Sequence, residues 1–210
     1  MDLKEEKELI KQAQKDPDVF AEVYDHYYPK IFNYILRRTI DLAVAQDITS
    51  ETFFKALNKL WQFRWRNISF SSWLYKIATN EINQYFRKRK HKTSSLDELR
   101  ELGFESVSWH NPETEMIEAE ENLKRHQDFI ICQQKISRLD IKYQEVITLR
   151  FFEQKQIKEI SEILGKSEGT IKSLLHRGLE KLRVSMNDEL EMQPFTESRI
   201  IDCERSIKLT

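Results

Sequence analysis

Residues Gln156 to Arg183 read QIKEISEILGKSEGTIKSLLHRGLEKLR. Ile157, Ile160, Ile163 and Leu164 recur at three- and four-residue steps, the pattern of a short helix with one apolar face. Gly165 supplies the left-handed residue that ends such a helix. Ser167 offers a hydroxyl to cap a second one, on which Ile171, Leu174 or Leu175, Leu179 and Leu182 face inward. Two short helices joined by a tight glycine-containing turn form a helix-turn-helix, whose second helix enters the major groove of duplex DNA. Lys172, Ser173, His176 and Arg177 fall on its outer side. A plain helical hairpin shares the pattern. Gly178 lowers helix propensity by about 1 kcal/mol, tolerable where packing holds the preceding turns.

Working towards the N-terminus, Asp140 is a suitable N-cap for a helix through Ile141, Val146, Ile147 and Leu149 to Phe152. Pro112 suits the first turn of another, running from about Glu113 towards Ser137. Between Thr93 and Asn111, Ser94, Ser95, Gly103, Ser106 and Ser108 interrupt any sustained periodicity, which marks a linker. The span Thr93 to Ile131 holds ten acids against three bases, a strongly negative segment.

The stretch before it has the opposite sign. Trp61 to Lys92, WQFRWRNISFSSWLYKIATNEINQYFRKRKHK, carries eight lysines and arginines against Glu81 alone. Cations hold a phosphate backbone and flat rings stack on bases, so this composition suits single-stranded or opening nucleic acid. Trp73, Leu74, Ile77 and Tyr85 share a helical face and are equally consistent with a core. Phe63, Trp65 and Phe70 flank Asn67 and the Ser69 to Ser72 cluster, a loop signal, and are the better candidates for base contacts.

At the N-terminus, Leu3 to Gln14 has amphipathic spacing, and Asp16 with Pro17 ends or restarts the helix. Phe20, Val23, Tyr24, Tyr27, Ile31 and Ile35 predict a core-facing helix that Pro29 should kink or reopen. Asp41 caps the next, with Ala45, Ile48, Thr52, Ala56 and Leu60 near one face. Asp47, Glu51 and Lys55 line another face, most simply as solvated ion pairs.

The chain has 210 residues, 33% of them charged, with only 4 Gly and 4 Pro and a net charge of −1. This composition favours helices with short connections, and the fold expected is all-α: two small helical domains joined by an acidic linker. Gly103, Gly165, Gly169 and Gly178 form no phosphate-cradling loop, so no nucleotide-binding enzyme is expected. Cys132 and Cys203 belong to no C-x-x-C pair and the five histidines show no ligand spacing, so neither metal nor cofactor is expected. No apolar run approaches the ~18 residues of a membrane span, and MDLKEEKELIKQ lacks an apolar signal core, which predicts a cytoplasmic protein.

FAEVYDHYYPKIFNYI, DITSETFFKAL, WLYKIATNEINQYFRKRK and YQEVITLRFFEQKQIKEISEILGKSEGTIKSLLHR together resemble, in order, the signature stretches of bacterial sigma factors of the extracytoplasmic-function (ECF) type. The resemblance covers about residues 15 to 185. It implies a factor that binds core RNA polymerase and directs promoter recognition and DNA opening. Residues 1–92 would dock the polymerase and read and melt the −10 element. Residues 93–112 would be the linker, threading the RNA exit path; 113–185 would carry the helix-turn-helix, and 186–210 form an extension outside the common pattern. By the same resemblance Asp47, Ile48, Glu51, Phe53 and Phe54 dock on the polymerase's largest subunit. Arg66 to Trp73, with Arg66, Asn67, Phe70 and Trp73, captures a flipped −10 base beside a helix carrying Lys76, Asn80, Gln84 and Arg87. Lys172, Ser173, His176 and Arg177 occupy the −35-reading positions. An anti-sigma factor or another DNA-bound recruiting protein is a further candidate partner.

Four residues depart from the family's usual pattern: Ser50, Gln84, Gln156 and Leu174. The last stands where an arginine is frequent, which predicts a weakened −35 reader. A one-component helix-turn-helix regulator would use Gln156 to Arg183 alone, and an adaptor or anti-sigma-like interaction protein would use the helices only for protein contacts.

Overall fold

A computed structural model describes residues 3–65, 69–93 and 131–187. The predicted linker from 94, the first part of the helix expected from Glu113, and the extension beyond 187 lie outside these residues.

Helix α1 (Leu3–Ala13) buries Ile10 and Ala13 against the helix that follows. Asp16 and Pro17 restart the chain as foreseen: the Asp16 carboxylate accepts the Asp18 N–H at 3.0 Å at the head of a short 3-10 turn. Helix α2 (Phe20–Thr39) then runs straight through Pro29, where a kink or a new helix was expected. Pro29 lacks the N–H that would bond the Asp25 carbonyl, but both residues are on the exposed side, where water can satisfy that carbonyl. The opposite side is held by Tyr27, Ile31, Tyr34 and Ile35, all buried. Helix α3 (Leu42–Lys59) starts as expected, with the Asp41 side chain accepting the Val44 N–H at 3.0 Å.

Phe70, placed in a loop by its serine neighbours, instead opens helix α4 (Phe70–Thr93) and is fully buried. The serines are a helix start: Ser69 Oγ accepts the Ser72 N–H at 3.1 Å, leaving Phe70 at the first turn. Phe70, Leu74, Ala78 and Ile82, four residues apart, form the fully buried line of α4. Trp73, Ile77 and Tyr85 only edge the core.

In the C-terminal part, residues 131–137 are helical (α5). The Gln144 amide closes the next turn by donating to the Ser137 and Leu139 carbonyls at 2.8 and 2.7 Å. Asp140 sits at the N-cap of α6 (Ile141–Ile147), yet its side chain makes no capping bond. The helix does not continue regularly to Phe152; it widens into a π-turn over Thr148–Phe152. Helix α7 (Ile157–Leu164) ends on Gly165 at φ 63°, as the sequence requires. Glu159 reaches back to the Gln156 N–H at 2.8 Å, satisfying the start of α7 from within the helix. Ser167 caps α8 (Glu168–Asn187) by accepting the Thr170 N–H. Ile171, Leu174, Leu175 and Leu182 are buried, whereas Leu179 is exposed. Gly178 takes its place inside: a Cβ there would lie 3.1 Å from Ile147 Cδ1 and 3.2 Å from Tyr143 Cβ, so α8 approaches α6 closely because this residue is glycine.

The two parts pack against each other. The turn after the π segment inserts Glu153 between α2 and α4, where Arg37 pairs with it at 2.9 Å and the Tyr75 hydroxyl donates to it. Lys155 donates to Ser71 at 2.8 Å, and Asn83 donates to Glu145 at 2.7 Å. Burial pushes the Glu153 carboxyl above its ordinary range, although Tyr75 and Arg37 draw it back. Burial likewise raises the Tyr75 hydroxyl, keeping it a donor.

Candidate nucleic-acid and polymerase interface

On α8, Lys172, His176 and Arg177 are exposed and Ser173 is half-buried, one turn apart along the outer face. Arg177 folds over that face, its guanidinium donating to Ser173 Oγ at 2.6 Å. Leu174 points the other way, into the core at 8% exposure. The expectation that Leu174 removes a phosphate-facing cation is therefore corrected, because in this packing the position belongs to the apolar face of the helix. The polar face keeps Lys172 and Arg177 whatever stands at 174.

On α4, Lys76, Asn80 and Arg87 are exposed and Trp73 and Gln84 are half-buried. The spacings 73, 76, 80, 84 and 87 follow the helical repeat, so these five residues form one narrow strip. Ser71, Tyr75 and Asn83, which grip the C-terminal part, lie to one side of it. Arg66 and Asn67 lie outside the described residues. The loop aromatics do not face solvent as expected: Phe63 and Phe70 are buried with ring centroids 5.2 Å apart, and Trp65 and Trp73 each lie 5.3 Å from Phe63. Phe70 is thus core at the root of the segment and cannot stack on a base without leaving it.

On α3, Asp47, Glu51 and Phe54 are exposed, Phe54 at 62%. Ile48 and Phe53 face inward; Phe53 packs on Tyr24 with centroids 4.7 Å apart. The α3 surface thus keeps three of the five residues singled out there. The sequence reading missed its continuation, Leu57 at 38% and Trp61 at 64% exposed, although the steps from Phe54 through Leu57 to Trp61 are helical. Glu51 pairs with Lys55 at 3.0 Å, and Lys55 also bonds Glu81 of α4 at 2.6 Å. The hydrogen bond to Glu81 is the main reason Lys55 holds its proton above the ordinary lysine range. The ion-paired reading of the line thus holds for Glu51 and Lys55, while Asp47 stands clear of it.

Residues 23–92 match sigma-70 region 2, and residues 131–182 match sigma-70 region 4. Over 191 residues the chain is 34% identical to the ECF RNA polymerase sigma factor SigW of Bacillus subtilis, covering 87% of this chain and 97% of SigW. This chain is an extracytoplasmic-function sigma factor of the sigma-70 family. As a sigma factor it directs promoter recognition in transcription initiation. It is also 29% identical over 187 residues to the ECF sigma factor BldN of Streptomyces coelicolor, where it covers 87% of its own length but 66% of that relative. Among solved structures, the RpoE sigma factor in complex with the anti-sigma factor NepR from Bartonella quintana shares the fold. Its TM-score is 0.59 at 23% identity, covering 80% of this sigma factor and 96% of RpoE. Both shared regions are all-helical among the described residues, in agreement with the fold class read from sequence. Among those residues no helix is long and apolar enough to cross a membrane.

Proposed function

We propose that this sigma factor docks on core RNA polymerase through the α3 face of Asp47, Glu51 and Phe54. The −10 element is read and opened by the strip of Trp73, Lys76, Asn80, Gln84 and Arg87, together with the neighbouring Arg66 and Asn67. The −35 element is read by Lys172, Ser173, His176 and Arg177. The observation that carries this reading is the α4 strip, where exposed Lys76, Asn80 and Arg87 stand beside half-buried Trp73 and Gln84, the combination needed to hold a backbone while a base leaves the stack. In this reading residues 1–92 serve docking and opening and residues 113–185 duplex reading, with 93–112 as the connection; the region-2 match over 23–92 and the region-4 match over 131–182 support the division. The protein works in the cytoplasm, where polymerase and promoter meet, as an initiation factor without catalytic chemistry of its own. An anti-sigma factor or a DNA-bound recruiting protein is a candidate regulator, to be sought by co-purification.

The test is reconstitution of core polymerase, this chain and promoter DNA, with strand opening followed by permanganate reactivity of unpaired thymines. Opening is expected only when all three are present. Lys76→Ala with Arg87→Ala should reduce opening while leaving core binding intact; unchanged opening would remove the α4 strip from the reading. A one-component regulator would instead bind duplex through α8 without polymerase, and no opening would follow.

A further inference from the structure

Lys55 stands between two carboxylates that belong to different helices. Its ammonium pairs with Glu51 Oε1 at 3.0 Å, one turn back on α3, and donates to Glu81 Oε2 of α4 at 2.6 Å. Among the described residues neither carboxylate has another cation within ion-pairing distance. The two partners differ in their access to water: the Glu51 side chain is 49% exposed and the Glu81 side chain 13%. Water screens an exposed pair and leaves it weak, whereas a carboxylate withdrawn from water holds its counter-ion more tightly. Lys55 therefore belongs first to Glu81, as the shorter distance shows, and only second to Glu51. The same order appears in its proton affinity, which Glu81 raises more than Glu51 does. With a single ammonium shared by two carboxylates, the cluster keeps a net negative charge. That charge is presented to solvent at Glu51, on the exposed side of α3 that also carries Asp47. Were Glu81 neutral, Glu51 would be the only carboxylate left for Lys55, and the exposed acid would be cancelled by its own helix neighbour.

We infer that Glu81 is a positioning residue for polymerase docking: by holding the Lys55 ammonium on α4 it keeps the Glu51 carboxylate available to a cationic side chain of the partner. The inference rests on the reading of the α3 face as the docking surface. Charge fixes the sign of the two substitutions that break the α3–α4 bond. Losing the Glu81 charge should weaken docking, and losing the Lys55 charge should strengthen it. A bond that merely braces the two helices predicts a loss from both.

The experiment titrates the labelled full-length chain with core polymerase and follows thermal melting of each variant. Wild type is compared with Glu81→Gln, with Lys55→Met, which keeps the apolar stem but removes the charge, and with the two combined. Glu81→Gln is expected to weaken core binding about three-fold, the scale of one exposed ion pair, and Lys55→Met to strengthen it by a similar factor. The combined variant, in which Glu51 has no ammonium beside it, should return to wild-type affinity or better. All three differences should shrink as salt is raised. The Asp47→Ala, Glu51→Ala double variant is run alongside. If it leaves core affinity unchanged, the reading of the α3 face fails. If it lowers affinity while Glu81→Gln does not, the inference about Glu81 is overturned. Losses in both Glu81→Gln and Lys55→Met, in step with melting and without recovery in the combined variant, also overturn it, because the bond is then only a brace.

Discussion

Helices α4 and α8 both offer polar residues proposed to meet DNA, but they are held in different ways. Helix α8 packs through one face, Ile171, Leu174, Leu175 and Leu182, and leaves its opposite side open. Helix α4 is packed on two sides. One is the buried line of Phe70, Leu74, Ala78 and Ile82; the other is the seam where Ser71, Tyr75 and Asn83 receive Lys155, Glu153 and Glu145. Only a narrow strip of α4 is left free. A helix gripped on two sides holds its exposed strip rigidly, and it also ties the strip proposed to read the −10 element to the part that carries the residues proposed to read the −35 element.

The largest expected effect tests the first packed side of α4. Phe70→Ala should lower stability by about 3–5 kcal/mol, the usual cost of emptying a buried aromatic site. Thermal melting checks this; an unchanged midpoint with reduced base capture would return Phe70 to the DNA surface. On α8 the corresponding test is Leu174→Arg, which should destabilise the C-terminal part by roughly 2 kcal/mol, since only the long stem lets the charge escape the core. A gain in −35 affinity with unchanged melting would place the position on the DNA side after all.

The second packed side of α4 is tested through Glu153. Glu153→Ala should weaken the seam by about 1–2 kcal/mol, since it removes charge-assisted bonds from Arg37 and Tyr75. A dye pair on α3 and α8 should report a larger separation. Because burial raises the Glu153 carboxyl above its ordinary 4.5, closure takes up a proton. The seam is then tightest below about that ordinary value and loosens as pH rises through the raised one. Glu153→Gln, a permanently neutral mimic, should flatten this dependence; a dye separation indifferent to both pH and Glu153 would show that another contact holds the seam. The smallest effect is Lys172→Ala, which should leave stability within about 0.5 kcal/mol. It should weaken −35 binding and reduce its salt slope by about one counterion.

How far each helix was legible follows from the same difference. The helix-turn-helix could be read residue by residue: Gly165 ends α7, Ser167 caps α8, and four of the five candidate inward positions on α8 are buried. One packed face produces one apolar period, so α8 needs no knowledge of its surroundings. Leu179 was misplaced because the close approach of α6 goes over Gly178, and a missing side chain leaves no mark in a pattern of apolar residues. On α4 the period is blurred. Tyr75 is buried between Tyr34 of α2 and the seam, so the buried face widens beyond one period and Trp73 and Tyr85 looked as internal as Leu74. Phe70 was read as loop because serines signal turns and helix caps alike. Gln14 and Glu153 carried no signal, being single polar residues in ordinary surroundings.

The sequence by itself determined the all-helical class, the caps and turns, the charge partition and the family, because each depends on residues within a few turns of one another or on ordered motifs. Tertiary structure alone decided which aromatics are core, that Gly178 rather than Leu179 meets α6, that Gln14 bonds the Leu60 and Phe63 carbonyls, and that Glu153 closes the seam. The seam contacts join residues 62 to 116 positions apart in the chain. No local period encodes such partners; only the packing of the two parts brings them within hydrogen-bonding distance.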